Sequence, residues 1–122
     1  MKSFSHDISD EKFIPEIRFL REAYVILNDK LLNNRLPHIN KINLAVESHP
    51  RSSAVGWASY RLSFLDHEVI PTGIVLNEAL KLTTHDWLEV VLHEMVHVMD
   101  YITNPNHFLG NRRYDPHGEW FT

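Results

Sequence analysis

The spacing of apolar and polar positions divides the chain into a leading helix, three strands and a second, far more apolar helix. Ile17, Leu20, Tyr24, Leu27 and Leu31 recur every three or four residues, which lines one face of an α-helix. Pro15 is tolerated in a first turn and the stretch NNRLP supplies a stop, so the helix is predicted over about Pro15 to Leu32. INLAVES, AVGWASYRLSF and EVIPTGIVLN are rich in β-branched and aromatic residues and are separated by turn-forming SHPRSS and LDHE. They predict a small antiparallel sheet, with Pro71 and Gly73 marking the third strand as an edge or as irregular at its start. NEALKL reads as a short helix.

The second long helix is predicted from about Thr84 to Ile102. Thr83, with Asp86 three residues later, offers a cap at its start, and Asn104-Pro105 ends it. Trp87, Leu88, Val90, Val91, Leu92, Met95, Val96, Val98, Met99, Tyr101 and Ile102 leave it almost no polar face, which belongs in the interior of a domain. Its polar exceptions are therefore informative. His93, His97 and Asp100 follow an i, i+4, i+7 stripe, with Glu94 beside the first of them.

Composition narrows what such a stripe is for. At 122 residues the chain fits one domain, residues 1–122, and its 43% hydrophobic and 23% charged content is ordinary for a soluble protein. No apolar run is long enough to span a bilayer and the N-terminus lacks a secretory pattern, so no membrane partner and a cytoplasmic location are expected. With no cysteine, a metal must be held by His, Asp or Glu. The net charge of −4 argues against a surface that wraps a phosphate backbone. Between Lys30 and Arg61, however, Lys30, Arg35, Lys41, Arg51 and Arg61 face only Glu47. That region is the candidate nucleic-acid face, through Lys41, Arg51 and Arg61, with Trp57 and Tyr60 available to stack on unpaired bases. Solvated charges and core aromatics are the plainer reading of the same residues.

LHEMVHVMD spells HExxH. In a chain with nine histidines the five-residue pattern alone is only suggestive. Its setting adds weight, because imidazoles one turn apart on a helix reach a single zinc ion, and a carboxylate beside the first is placed to take a proton from a metal-bound water. His93 and His97 are the candidate zinc ligands and Glu94 the candidate catalytic base. The competing reading, two core histidines and a surface glutamate, requires burying three polar groups without a metal. The third ligand is sought among Asp100, His107, Asp115, His117 and Glu119. His117, in the turn-rich YDPHGEWF, ranks first, because nineteen residues allow the chain to fold back over the helix. Asp100 has a short side chain one turn further along, which suits orienting a histidine from behind.

These stretches together resemble the SprT-like metallopeptidases, the group that includes Spartan-type proteases acting on DNA–protein crosslinks. LNDKLLNNRLP is similar to the family's first-helix ending, GIVLNEAL to its strand-to-helix turn, and VVLHEMVHVMDY with HGEWF to its active-site helix and third-ligand segment, covering about Leu27 to Phe121. The resemblance implies an α+β zincin-type domain, several helices around a small antiparallel sheet, with a sheet edge near the metal to align an extended peptide. It implies zinc held by His93, His97 and His117, catalysis by Glu94, and a protein substrate, with DNA-associated proteins included. The family continues the helix that GEWF begins, so either a minimal member or a chain lacking a C-terminal extension is expected. The rival expectations are a catalytically idle zinc-binding interaction module, which the intact Glu94 disfavours, and a non-proteolytic zinc hydrolase.

Overall fold

The computed structural model describes residues 11–63, 65–66 and 68–109, without the side chains of His107 and Leu109. It is an α+β arrangement of two long helices and a three-stranded sheet. Helix α1 spans Ile17–Leu31 and helix α2 spans Thr84–Thr103, each within two residues of the predicted bounds. The strands are β1 (Asn43–Glu47), β2 (Gly56–Ser63) and β3 (Glu68–Asn77), and a 3-10 turn at Ile39–Lys41 leads into β1. A four-residue helix, α3, Asn106–Leu109, follows α2.

Two asparagines stop α1. Asn33 and Asn34 both take positive φ, 52° and 56°, a conformation that asparagine adopts more readily than most residues. The returning chain is then held by Asn28, whose side-chain amide pairs with both the N–H and the C=O of Leu36.

The sheet is mixed, not antiparallel as the strand pattern predicts. Its order is β1-β3-β2, with β2 antiparallel and β1 parallel to β3. β3 is therefore central, and of the two readings of Pro71 and Gly73, an edge or an irregular start, the irregularity is the one found. The register explains the tolerance. β1 begins to pair with β3 only at Gly73, so Pro71 has β2 alone beside it, and it sits at the irregularity between Ser59 and Tyr60. Gly73 is required where β1 joins, because a Cβ there would lie 2.7 Å from the Asn43 carbonyl oxygen. NEALKL forms no helix. Asn77 ends β3, a turn follows, and Leu82 bridges to Phe13.

Both long helices pack on one face of the sheet, α2 over β2 and β3, α1 over β1 and against α2. Leu44, Ile74 and Ala58 lie side by side on that face, and Leu20, Ile74, Leu76, Trp87, Met95 and Val98 are completely buried between the layers. Burying an aliphatic side chain of this kind contributes about 1.5–3 kcal/mol, so this layer is what fixes α2 against the strands.

Candidate active site

The position of α2 on β2 creates the site. Thr83 accepts the Asp86 N–H at 3.2 Å and sets the start of the helix, while Trp87 donates from its indole to the Phe13 carbonyl at 3.1 Å and pins the first turn. Gly56 lets the helix come close to the strand, since a Cβ there would meet the Val75 oxygen at 2.9 Å and Val90 at 3.2 Å. Between α2 and β2 lies a cleft of about 410 Å³, walled by residues 53–58 on one side and by His93, Glu94, His97 and Tyr101 on the other.

His93 and His97 turn their Nε2 atoms toward each other, 3.2 Å apart, with the rings edge-on at 83°. Two imidazole nitrogens bound to one tetrahedral zinc at about 2.0–2.1 Å are about 3.3–3.4 Å from each other, so the pair has the spacing of two ligands of one ion. In the metal-free chain the same distance suits one ring donating to the other. Among the described residues no group of three or more His, Asp or Glu converges as a metal site. His117, the expected third ligand, lies outside the described residues, as do Asp115 and Glu119 and the side chain of His107.

Glu94 lines the same cleft and is 4% exposed. Burial pushes its carboxyl up to about 7, because the charged form loses its hydration. A group near 7 is poised to accept and return a proton at neutral pH, and a cation beside it would favour the charged form. Asp100 is wholly buried and accepts a 2.7 Å bond from the Asn104 side chain, which ties its carboxylate to the end of the helix.

Tyr101 is a cleft residue that hydrophobic patterning alone places among the apolar positions. Its hydroxyl donates to the Ala58 carbonyl at 3.3 Å, joining α2 to β2, and burial above all, then Tyr60, Glu94 and Asp100, raises its pKa well beyond the usual tyrosine range. The signal was present, because 93, 97 and 101 continue the i, i+4, i+8 repeat.

The residues proposed as a nucleic-acid face do not gather. Tyr60 turns toward the helices and packs on Tyr101 and Phe108, with ring centroids 4.7 and 5.0 Å away. Trp57 lies on the other face of β2, edge-on to His49, and Arg61 shares that face by strand alternation. Arg61 is opposite Ile70, beyond the start of β1, whereas the loop carrying Arg51 leaves β1 after Glu47, opposite Asn77. Those ends of the sheet are on the order of 20 Å apart. Lys41 precedes β1, on the edge away from β2.

No helix among the described residues is long and apolar enough to cross a membrane. Compared with family models, with curated proteins and with solved structures, the chain finds no match.

Proposed function

We propose that the protein is a zinc-dependent endopeptidase of SprT type, with a zincin-type fold, that hydrolyses peptide bonds in extended or unfolded protein segments. One observation carries the reading: a histidine pair at ligand spacing and a buried glutamate share a cleft whose opposite wall is a strand with one edge unpaired among the described residues. His93 and His97 would hold the ion, with His117 as the third ligand by the family resemblance. Bound zinc would bring its water toward neutrality and polarise the scissile carbonyl. Glu94 takes the proton as the water attacks and returns it to the leaving nitrogen, a role suited to a carboxylate that lines the same cleft as the histidine pair. The outer edge of β2 offers main-chain donors and acceptors to a substrate strand, which selects extended backbone over folded protein. Asp100 orients a histidine from the end of the helix.

Metal analysis and cleavage of an unfolded protein, with and without a chelator, test this reading. His117→Ala should lose most of its zinc and His107→Ala should keep it, because only His117 is assigned as a ligand. Zinc retained in His117→Ala and lost in Asp100→Ala would move the third ligand onto α2. A zinc-loaded parent that cleaves no unfolded protein would leave an idle binding module.

A further inference from the structure

We infer that Asn77 is a positioning residue for the cleft: its buried side-chain amide holds the loop 48–55 against the end of β3 and so fixes the backbone wall along which a substrate strand would lie. The inference rests on the peptidase reading. Asn77 is completely buried and is not itself part of the cleft lining. Its Oδ1 accepts the His49 N–H at 2.9 Å and the Ala79 N–H at 3.1 Å. Its Nδ2 donates to the His49 carbonyl and to the Ala54 carbonyl, each at 3.0 Å. An amide side chain has two donor hydrogens and two acceptor lone pairs, and here all four are used.

The placement of those bonds is what points to the cleft. His49 is the second residue of the loop and Ala54 the second from its end, so one side chain grips an eight-residue excursion near both ends. Main-chain bonds from Asn77 N to the Val55 carbonyl and from Glu78 N to the Glu47 carbonyl, 2.9 and 2.8 Å, bracket the same region. Ser53, Ala54 and Val55 then form the first part of the wall that faces His93, Glu94 and His97. The grip extends to Trp57, because the His49 ring, bonded to Glu47 at 2.9 Å, lies 4.8 Å edge-on to the indole. A loop of this length could satisfy its polar groups with water and still connect β1 to β2. Holding its last residues at a set distance from α2 requires an internal clamp, and a substrate strand can pair with β2 only if that edge is already in place.

Asn77 therefore acts on binding. Asn77→Ala removes all four bonds, and the near-isosteric Asn77→Asp keeps both acceptor bonds while turning a carboxylate on the His49 and Ala54 carbonyls. Both variants should raise KM for an extended fluorogenic peptide about tenfold and change kcat less than about threefold, with zinc content as in the parent. Trypsin should nick both after Arg51 about tenfold faster than the parent, since the loop opens locally. Parental KM in a folded, zinc-loaded Asn77→Asp overturns the inference, and this variant decides the matter if Asn77→Ala does not fold. If the parent cleaves no peptide, the peptidase reading falls by itself. The clamp is then judged by the nicking rate alone, and an unchanged rate in both variants rejects it.

Discussion

Two neighbouring stripes of α2 are buried to the same degree and do opposite things. Trp87, Val91, Met95 and Val98 are wholly buried and apolar, and press the helix onto the sheet. His97 at 5%, Glu94 at 4% and Asp100 at 0% exposure are almost as enclosed, yet each carries a group that prefers water. The first stripe stabilises the fold at little electrostatic cost. The second works against it, since burial raises the Glu94 carboxyl to about 7, and at higher pH the charged form must be kept in a poorly hydrated place. The difference teaches where to look for function: a helix built only for packing would continue the apolar stripe all round.

The sharpest way to break the comparison is to change one residue from each stripe. Glu94→Gln should reduce kcat by several orders of magnitude with KM, zinc content and fold preserved, because the attacking water loses its proton acceptor. Its stability should be unchanged or higher, since a neutral amide replaces a buried carboxyl. Met95→Ala should do the reverse, losing about 2–5 kcal/mol of stability by opening a cavity while keeping kcat per folded molecule within about threefold. Met95→Leu, nearly volume-conserving, should lose less than about 1.5 kcal/mol. Urea titration and steady-state kinetics on all three check it. If Glu94→Gln is as active as the parent, the carboxylate is not the base. If Met95→Ala is stable but inactive, the stripes are not separate.

The same cause, burial, acts on a tyrosine of the core, but nothing of it is felt at neutral pH. Tyr24 is 1% exposed, donates to the Pro37 carbonyl at 2.6 Å, and is pushed up from 10.0 to about 12. The unfolded chain loses this proton at lower pH than the folded one. Stability from Tyr24 is therefore full below about 10 and is lost as pH rises through about 12, by on the order of 2–3 kcal/mol. Tyr101 acts in the same direction. Denaturation at pH 8, 10 and 11 should show this fall, and Tyr24→Phe should flatten it while costing about 1 kcal/mol at pH 8 for the lost hydrogen bond. An equal alkaline fall in parent and variant would assign the loss to other groups.

How far this was legible depends on the range of the forces involved. Both helices, the cap at Thr83 and the His93/Glu94/His97 stripe follow from local periodicity, which a sequence displays directly. The parallel pairing of β1 with β3 is set by long-range packing, and β3, with Val69, Ile74 and Leu76 buried under the helices, takes the central place despite Pro71. Local turn chemistry could not show that. In the sequence Asn77 reads as a helix start, because its partners, His49 and Ala54, lie 28 and 23 residues away. An asparagine that ends an apolar strand and precedes a turn is the signal that was available. The basic residues are spread over the sheet for the same reason, since closeness in sequence is not closeness on the sheet.

The two faces of β2 extend the comparison and give the smallest expected effect. Tyr60 belongs to the helix side, packed on Tyr101, and Trp57 and Arg61 to the open side, with Arg51 at the far end of the sheet. Phosphates neutralised by scattered arginines add up weakly, and the chain carries a net charge of −4, so binding of single-stranded DNA by this chain should be weak, with a shallow salt slope set by the few phosphates contacted. Reversing Arg51 and Arg61 together, to Glu, should leave basal cleavage within about twofold and lower the salt slope of DNA binding by no more than about two, one for each lost phosphate contact. Tyr60→Ala should instead loosen the contact with Tyr101 and act on cleavage, because its ring packs on a residue that lines the cleft. A low-salt titration in which the double reversal abolishes tight binding would show that the arginines converge on one strand of DNA after all. One in which it changes nothing removes them from any nucleic-acid role and leaves substrate choice to the protein contacts along β2.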